Sequence, residues 1–128
     1  MEEIVFLDTC IIIDLLKGKP KIKEVIETEI KLRNCVINDI VIMELLQGAR
    51  NKSDLRFIQS QLNKFQALEI NQMIMNLSKD IICEFTLSHN AKIQDAIIAS
   101  FCIIYDVKLF TYNLKDFEYI HGIKFYWS

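Results

Sequence analysis

The 128-residue chain has three glycines, one proline, two histidines and one tryptophan. With so few breakers and 52% hydrophobic residues against 25% charged ones, it is neither a disordered nor a fibrous chain. It also lacks an excess of positive charge. Fifteen Lys+Arg against seventeen Asp+Glu leave a formal charge of -2, which excludes a protein held to nucleic acid by bulk charge alone. No C-x-x-C pair occurs among Cys10, Cys35, Cys83 and Cys102, and each has an Ile, Val or Phe beside it. They read as reduced core cysteines rather than a disulfide framework or a metal knuckle. No apolar run has the length of a membrane span; the most apolar segment, 96–105, contains Ser100 and ends at Asp106. Glu2 and Glu3 stand where a secretory signal carries Lys or Arg, so the expectation is a cytoplasmic protein without membrane contact.

What is present is a single domain, 1–128, large enough to bury roughly two-thirds of its unfolded surface without staples. Residues 4–7 (IVFL) form a short apolar run suited to a strand covered on both faces. A helix follows, capped at Thr9 and running to Lys17, with Gly18 and Pro20 as its stop. An amphipathic helix is expected over 20–33, a second strand over 35–37, and a helix over 40–47 capped by Asn38 or Asp39 and stopped by Gly48. Asp54 is the expected cap of the next helix, which reaches Phe65; strands at 67–70, 108–111 and 124–127 and helices over 73–88 and 93–105 complete the pattern. Strands alternating with helices predict right-handed βαβ units, hence a three-layer α/β/α sandwich on a mainly parallel sheet. Ligands of such sheets sit beyond the carboxyl ends of the strands.

Several polar residues fall there. Asp8 follows the first strand directly, and Asn113 and Asp116 follow the strand at 108–111. Glu44 lies in an apolar helix with no Lys or Arg within five residues, and Asp95 opens another with only Lys92 that close. An isolated buried carboxylate is costly, so such acids are paired, protonated or bound to a cation. Without basic partners, convergence around Mg²⁺ or Mn²⁺ is the expectation, since these hard ions prefer oxygen ligands. That is the chemistry of phosphodiester cleavage: one ion makes a water more nucleophilic, and a second about 4 Å away stabilises the leaving oxygen. Structural roles stay open beside this one, because Asp8 also suits a helix cap and Asp95 a favourable helix-start acid.

Four segments become specific together: FLDTCIIID at 6–14, ELLQGA at 44–49, DAIIA at 95–99 and LFTYNLKDF at 109–117. In this order the chain resembles the PIN-domain nucleases and, among them, the small VapC-like toxins of bacterial toxin–antitoxin pairs, over residues 4–127. The resemblance implies a metal-dependent endoribonuclease whose acids are Asp8, Glu44 and Asp95. The fourth acidic position of the family often falls in a T-x-D segment, here Thr111-Tyr112-Asn113, so either Asn113, through its amide oxygen, or Asp116 three residues on fills it. Asp8, Glu44, Asp95 and Asp116 are the expected metal ligands, with Asn113 joining them in the catalytic set. Thr9 and Thr111 match hydroxyl positions near the pocket, with cap and β-forming roles as the alternatives. The resemblance further implies an RNA substrate, an antitoxin protein that occludes the pocket, and a homodimer. Cleavage by in-line attack of water would leave a 5′-phosphate and a 3′-hydroxyl.

His89 and His121 lie in polar breaks away from these segments and are expected in solvent, as is Asp14 at a surface edge. Basic residues including Lys17, Lys19, Arg50 and Lys52 follow the Gly18 and Gly48 helix ends, where they would meet RNA phosphates if those ends border the pocket. Tyr112, Phe117, Tyr119, Phe125, Tyr126 and Trp127 could stack on bases, although their alternation with core positions favours packing. A receiver domain wants paired acids after the first strand, and a haloacid-dehalogenase phosphatase wants D-x-D; Asp8-Thr9-Cys10 offers neither. A PIN fold retained for RNA binding or scaffolding is the remaining alternative, prompted by Asn113.

Overall fold

The apolar run at the start becomes strand β1 (Val5–Leu7), and all three of its residues are fully buried. Burial of both strand faces is what a sheet sandwiched between helices requires. A computed structural model describes residues 2–127 and gives a four-stranded sheet in the order β3-β2-β1-β4. Its other strands are β2 (Cys35–Ile37), β3 (Gln66–Ala67) and β4 (Lys108–Phe110). All pairings are parallel, with Val5 opposite both Cys35 and Lys108. The carboxyl ends of β1, β2 and β4 therefore share one edge, which delivers Asp8, Asn38 and Thr111 to the same side.

Among the described residues six helices connect and cover the sheet: α1 (Thr9–Leu16), α2 (Pro20–Glu24), α3 (Asp39–Gln47), α4 (Lys52–Leu62), α5 (Gln72–His89) and α6 (Ile93–Tyr105). The apolar α6 is the central one, with Ala96 to Cys102 buried in an unbroken run. Phe101 meets Phe6 of β1 with ring centroids 5.0 Å apart. Full burial of one such side chain is worth about 1.5–3 kcal/mol, so this contact ties α6 firmly to the sheet. α5 packs along α6, and Ser78 reaches the Ile74 carbonyl at 2.8 Å and the Ala96 carbonyl at 3.4 Å.

Several boundaries differ from expectation for identifiable reasons. Asp8, not Thr9, caps α1, because its side chain accepts from the Thr9 N–H. Asn51, not Asp54, caps α4: Asn51 Oδ1 accepts from Asp54 N at 2.8 Å, and Asp54 turns back to accept from Arg50 N at 3.1 Å. The amphipathic stretch after Pro20 is not one α-helix. After α2 it widens into π-helical turns over Val25–Ile30, stops at Lys31 with φ 76°, and resumes as a 3₁₀ turn over Leu32–Asn34. The strand expected at 124–127 reduces to a single parallel bridge between Leu109 and Phe125, closed by Leu109 N to Lys124 O at 2.8 Å and Tyr126 N to Leu109 O at 3.0 Å. Tyr126 and Trp127 pack their rings on Phe110 instead of extending a ladder.

Candidate active site

Asp8 lies at the end of the buried strand and is 7% exposed. Its backbone N–H donates to the Phe110 carbonyl of β4 at 3.0 Å, which fixes it against the neighbouring strand. Two donors hold its carboxylate: Thr9 N–H to Oδ1 and Thr111 Oγ1 to Oδ2, both at 2.8 Å. The Cys10 thiol stands 3.9 Å from Oδ2. Burial pushes the Asp8 carboxyl above its ordinary pKa, the Thr111 and Thr9 donors pull it back, and the charge of Asp116 adds to the rise. A buried, charge-assisted pair of this kind is among the stronger hydrogen bonds a protein makes.

Glu44 projects from α3, half-buried, and its Oε1 has no hydrogen-bond partner. Burial raises its pKa first and the nearby Asp8 charge raises it further, while the Thr9 hydroxyl lowers it. Thr9 Oγ1 is near enough to Glu44 to lower its pKa but falls outside hydrogen-bond geometry, and both it and Glu44 Oε1 are shielded from solvent. Asp95 sits in the first turn of α6 and is pushed up to about 6, first by burial and then by the charges of Asp116, Asp8 and Glu44; Lys92 opposes them. Four carboxylates from four separate segments thus share one electrostatic neighbourhood, and each of the three inner ones is destabilised in its charged form.

Asp116 is exposed on the 3₁₀ turn Leu114–Asp116 after β4. Asn113, also exposed, does not bring its amide into the cluster by any hydrogen bond; its backbone N–H donates to Thr111 Oγ1 at 3.0 Å and so braces the residue that holds Asp8. Among the described residues, no three His, Cys, Asp or Glu side chains form a ready-made group for an ion. Asp14 is not a free surface acid: it accepts from the Tyr112 hydroxyl at 2.8 Å and pairs with Lys19 at 3.5 Å. His89 and His121 are exposed, and His89 stacks on Tyr119 with centroids 4.3 Å apart. The two basic helix ends border one of the acids: Lys17 and Arg50 line, with Glu44, one groove of ≈ 540 Å³.

The arrangement of strand-end Asp, helix Glu and helix-start Asp on a parallel sheet coincides with a match to the PIN domain over residues 5–122. The chain belongs to the PIN-domain family. Ribonuclease VapC2 of Methanocaldococcus jannaschii is 30% identical, over 91% of this chain and 89% of that protein. A chain of VapBC-1 from nontypeable Haemophilus influenzae matches at TM-score 0.76 and 28% identity, covering 95% of this chain and 96% of its own. A chain of VapBC2 from Rickettsia felis, bound to a promoter DNA fragment, matches at TM-score 0.82 and 20% identity over 95% and 96% of the two chains, a likeness of fold. The chain is therefore a VapC-like PIN domain.

Within this PIN domain, the hydroxyl expected near the pocket at Thr111 does hold Asp8, whereas the bracing by Cys10, Asp14 and Tyr112 was not foreseen. That Cys10 accepts from the Tyr112 N–H at 3.5 Å, and that Asp14 holds the Tyr112 hydroxyl, depends on α1 lying beside the segment after β4. The only linear signal was the position of Tyr112 between Thr111 and Asn113. No helix is long and apolar enough to cross a membrane among the described residues.

Proposed function

We propose that this PIN domain is a metal-dependent endoribonuclease, the cytoplasmic toxin of a toxin–antitoxin pair, with Asp8, Glu44, Asp95 and Asp116 as the ligands of Mg²⁺ or Mn²⁺. The observation that carries this reading is the cluster of mutually repelling carboxylates, with Lys92 as the sole positive charge acting on Asp95 and one buried oxygen, Glu44 Oε1, left without a partner. The donor set fits a hard divalent cation: it offers oxygen ligands and excess negative charge, which an ion would neutralise.

An ion held there supplies positive charge beside the phosphodiester and lowers the pKa of a water. The chain's own groups do the rest. Thr9 N–H and Thr111 Oγ1 fix the Asp8 carboxylate so that its orientation costs nothing at the moment of reaction. Glu44 Oε1, unpartnered and raised in proton affinity, accepts the proton of the attacking water. Asp116 supplies the fourth acid, since its charge reaches both Asp95 and Asp8; Asn113 acts through its backbone, bracing Thr111. Lys17 and Arg50, beside Glu44, receive RNA phosphates.

A toxin–antitoxin complex from Klebsiella pneumoniae contains a chain 29% identical to this one, which supports an antitoxin partner; its covering of this pocket and a homodimeric functional form are part of the proposal. Controlled expression of wild type and Asp8→Asn, followed by mapping of new RNA 5′ ends, tests the reading. Wild type is expected to arrest growth and create 5′-phosphate and 3′-hydroxyl ends that Asp8→Asn does not. Products ending in 2′,3′-cyclic phosphate would refute the water mechanism, and the absence of both arrest and new ends would leave a binding or scaffolding PIN fold.

A further inference from the structure

We infer that Tyr112 is a stacking platform for a base of single-stranded RNA, held ready at the rim of the acid pocket by Asp14. The inference rests on the nuclease reading for its substrate and on separate geometry for its site. Seven aromatic residues crowd positions 110–127, and the structure divides them by what their rings touch; Phe125 pairs with no ring among the described residues but packs, half-buried, against the core. Phe117 is 1% exposed and belongs to the core. Tyr119 already has one face against His89, stacked within 12° of parallel. Tyr126 and Trp127 pack on Phe110, with Lys21 4.6 Å from the Trp127 ring centre. Tyr112 stands apart: it is 45% exposed and pairs with no aromatic ring among the described residues.

Exposure alone would describe a mobile side chain, but this one is pinned at both ends. Its N–H donates to Cys10 Sγ at 3.5 Å, and its hydroxyl donates to Asp14 Oδ2 at 2.8 Å. Asp14 is itself only 18% exposed and paired with Lys19, so the anchor is a fixed one. Burial and the Asp14 carboxylate push the Tyr112 hydroxyl up to about 12, so it stays protonated and keeps donating. A ring whose rotamers are already restricted loses little entropy when a base stacks on it.

Its place fits the task. Tyr112 directly follows Thr111, whose hydroxyl touches Asp8, and Asp14 lies six residues along α1 from Asp8, about 9 Å at helical rise. The ring therefore lies along the flank between these two acids, where a nucleotide next to the cut phosphate would pass. Stacking on one aromatic face does not depend on base identity, and it requires an unpaired strand. The platform consequently selects single-stranded RNA over duplex without selecting a sequence.

The test uses the full chain and a fluorescently labelled single-stranded oligoribonucleotide, with the same strand annealed to its complement as a second probe. Tyr112→Leu is expected to weaken single-strand binding by about 5- to 150-fold. Duplex binding should be unchanged. Tyr112→Phe keeps the ring and loses only the anchor, so it should retain most of the affinity. In parallel cleavage assays Tyr112→Leu should raise KM while kcat at saturating RNA stays near wild type, a split that a general loosening of the pocket would not give. Equal loss on both probes, equal loss in the Phe and Leu variants, or no loss at all would each overturn the platform. Wild type that binds the single strand and loses it on Tyr112→Leu, yet cuts no RNA, would keep the platform and remove the nuclease reading. Wild type that neither binds nor cuts would remove both.

Discussion

Thr111 Oγ1 donates to Asp8 Oδ2 at 2.8 Å, joining residues 103 positions apart in the chain. The same hydroxyl accepts from Asn113 N at 3.0 Å, so one atom ties the end of β1 to the turn that carries Asn113 and Asp116. Thr111→Val keeps the β-branched shape and removes this atom. It should cost about 1–3 kcal/mol of stability, read from urea unfolding at pH 7, because a buried carboxylate loses a donor and Asn113 N loses its acceptor. Thr111→Ser should restore most of it. A Val variant as stable as wild type would mean that solvent replaces the bond without penalty.

The raised carboxyls set a pH dependence with a definite sign. A group whose folded pKa exceeds its unfolded value contributes stability that is full below the unfolded pKa and lost as pH rises through the folded one. For Asp95 that window runs from 3.8 to about 6, and Asp8 and Glu44 shift in the same direction. Metal-free protein should therefore melt at a lower temperature at pH 7 than at pH 5. Asp95→Asn should flatten that slope and raise the metal-free Tm at pH 7. A wild-type Tm that climbs from pH 5 to pH 7 in chelator would contradict the assignment.

Divalent ions should reverse the penalty. If the acids hold Mg²⁺ or Mn²⁺, saturating ion raises Tm by mass action, about 2.7 kcal/mol at one hundred times its dissociation constant. Calorimetry of wild type, Asp8→Asn and Asp116→Asn with and without ion checks this. Both variants should lose most of the gain, whereas Asn113→Ala should keep it, since Asn113 acts through its backbone N–H. Loss of the gain in Asn113→Ala and its retention in Asp116→Asn would exchange their roles.

Ser100 is fully buried in α6, and its hydroxyl has no hydrogen-bond partner. Ser100→Ala removes an unsatisfied polar group and improves helix propensity, so stability should stay level or rise by up to about 1 kcal/mol. Chemical denaturation that shows a clear loss would reveal an undetected partner, such as an ordered water.

Lys31 ends the π-helical turns at φ 76° and ψ 137°, a conformation that costs a side-chain-bearing residue about 1–3 kcal/mol. Lys31→Gly should be more stable than wild type in the same denaturation experiment, despite losing its 3.5 Å pair with Glu2. That pair is exposed and contributes little. A destabilised Gly variant would show that the Lys31 side chain does more than the backbone geometry indicates.

How far the sequence disclosed the molecule follows from the range of the forces involved. Asp8 and the helix acids were legible because a lone carboxylate in an apolar run is conspicuous wherever the chain folds, and because parallel strands gather their ends. Helix extents over Ile93–Tyr105 and Asp39–Gln47 followed from local periodicity and caps. The π-helical turns after α2 were hidden because Val25, Ile26 and Ile30 satisfy an α-helical spacing equally well. Asn51 and Asp54 were both chemically able to cap α4, and only the reciprocal bonds between 50, 51 and 54 separate them. The segment around Phe125 looked like a strand because its aromatics favour one, yet their burial on Phe110 needs only one bridge. The Tyr112–Asp14 bond joins segments 98 residues apart, beyond any local pattern.

Among the described strands, β1 comes first in the chain and lies inside the sheet, whereas β4, one of its two neighbours, comes last. A growing chain can pair β1 with β2 early, as domains fold from their N-terminal side during synthesis. Its other edge stays open, and Asp8 has neither the Phe110 carbonyl nor the Thr111 hydroxyl beside it until β4 emerges. The pocket is thus completed only once β4 is made, and a chain interrupted before β4 carries three of its acids on a scaffold that cannot set the first of them in place.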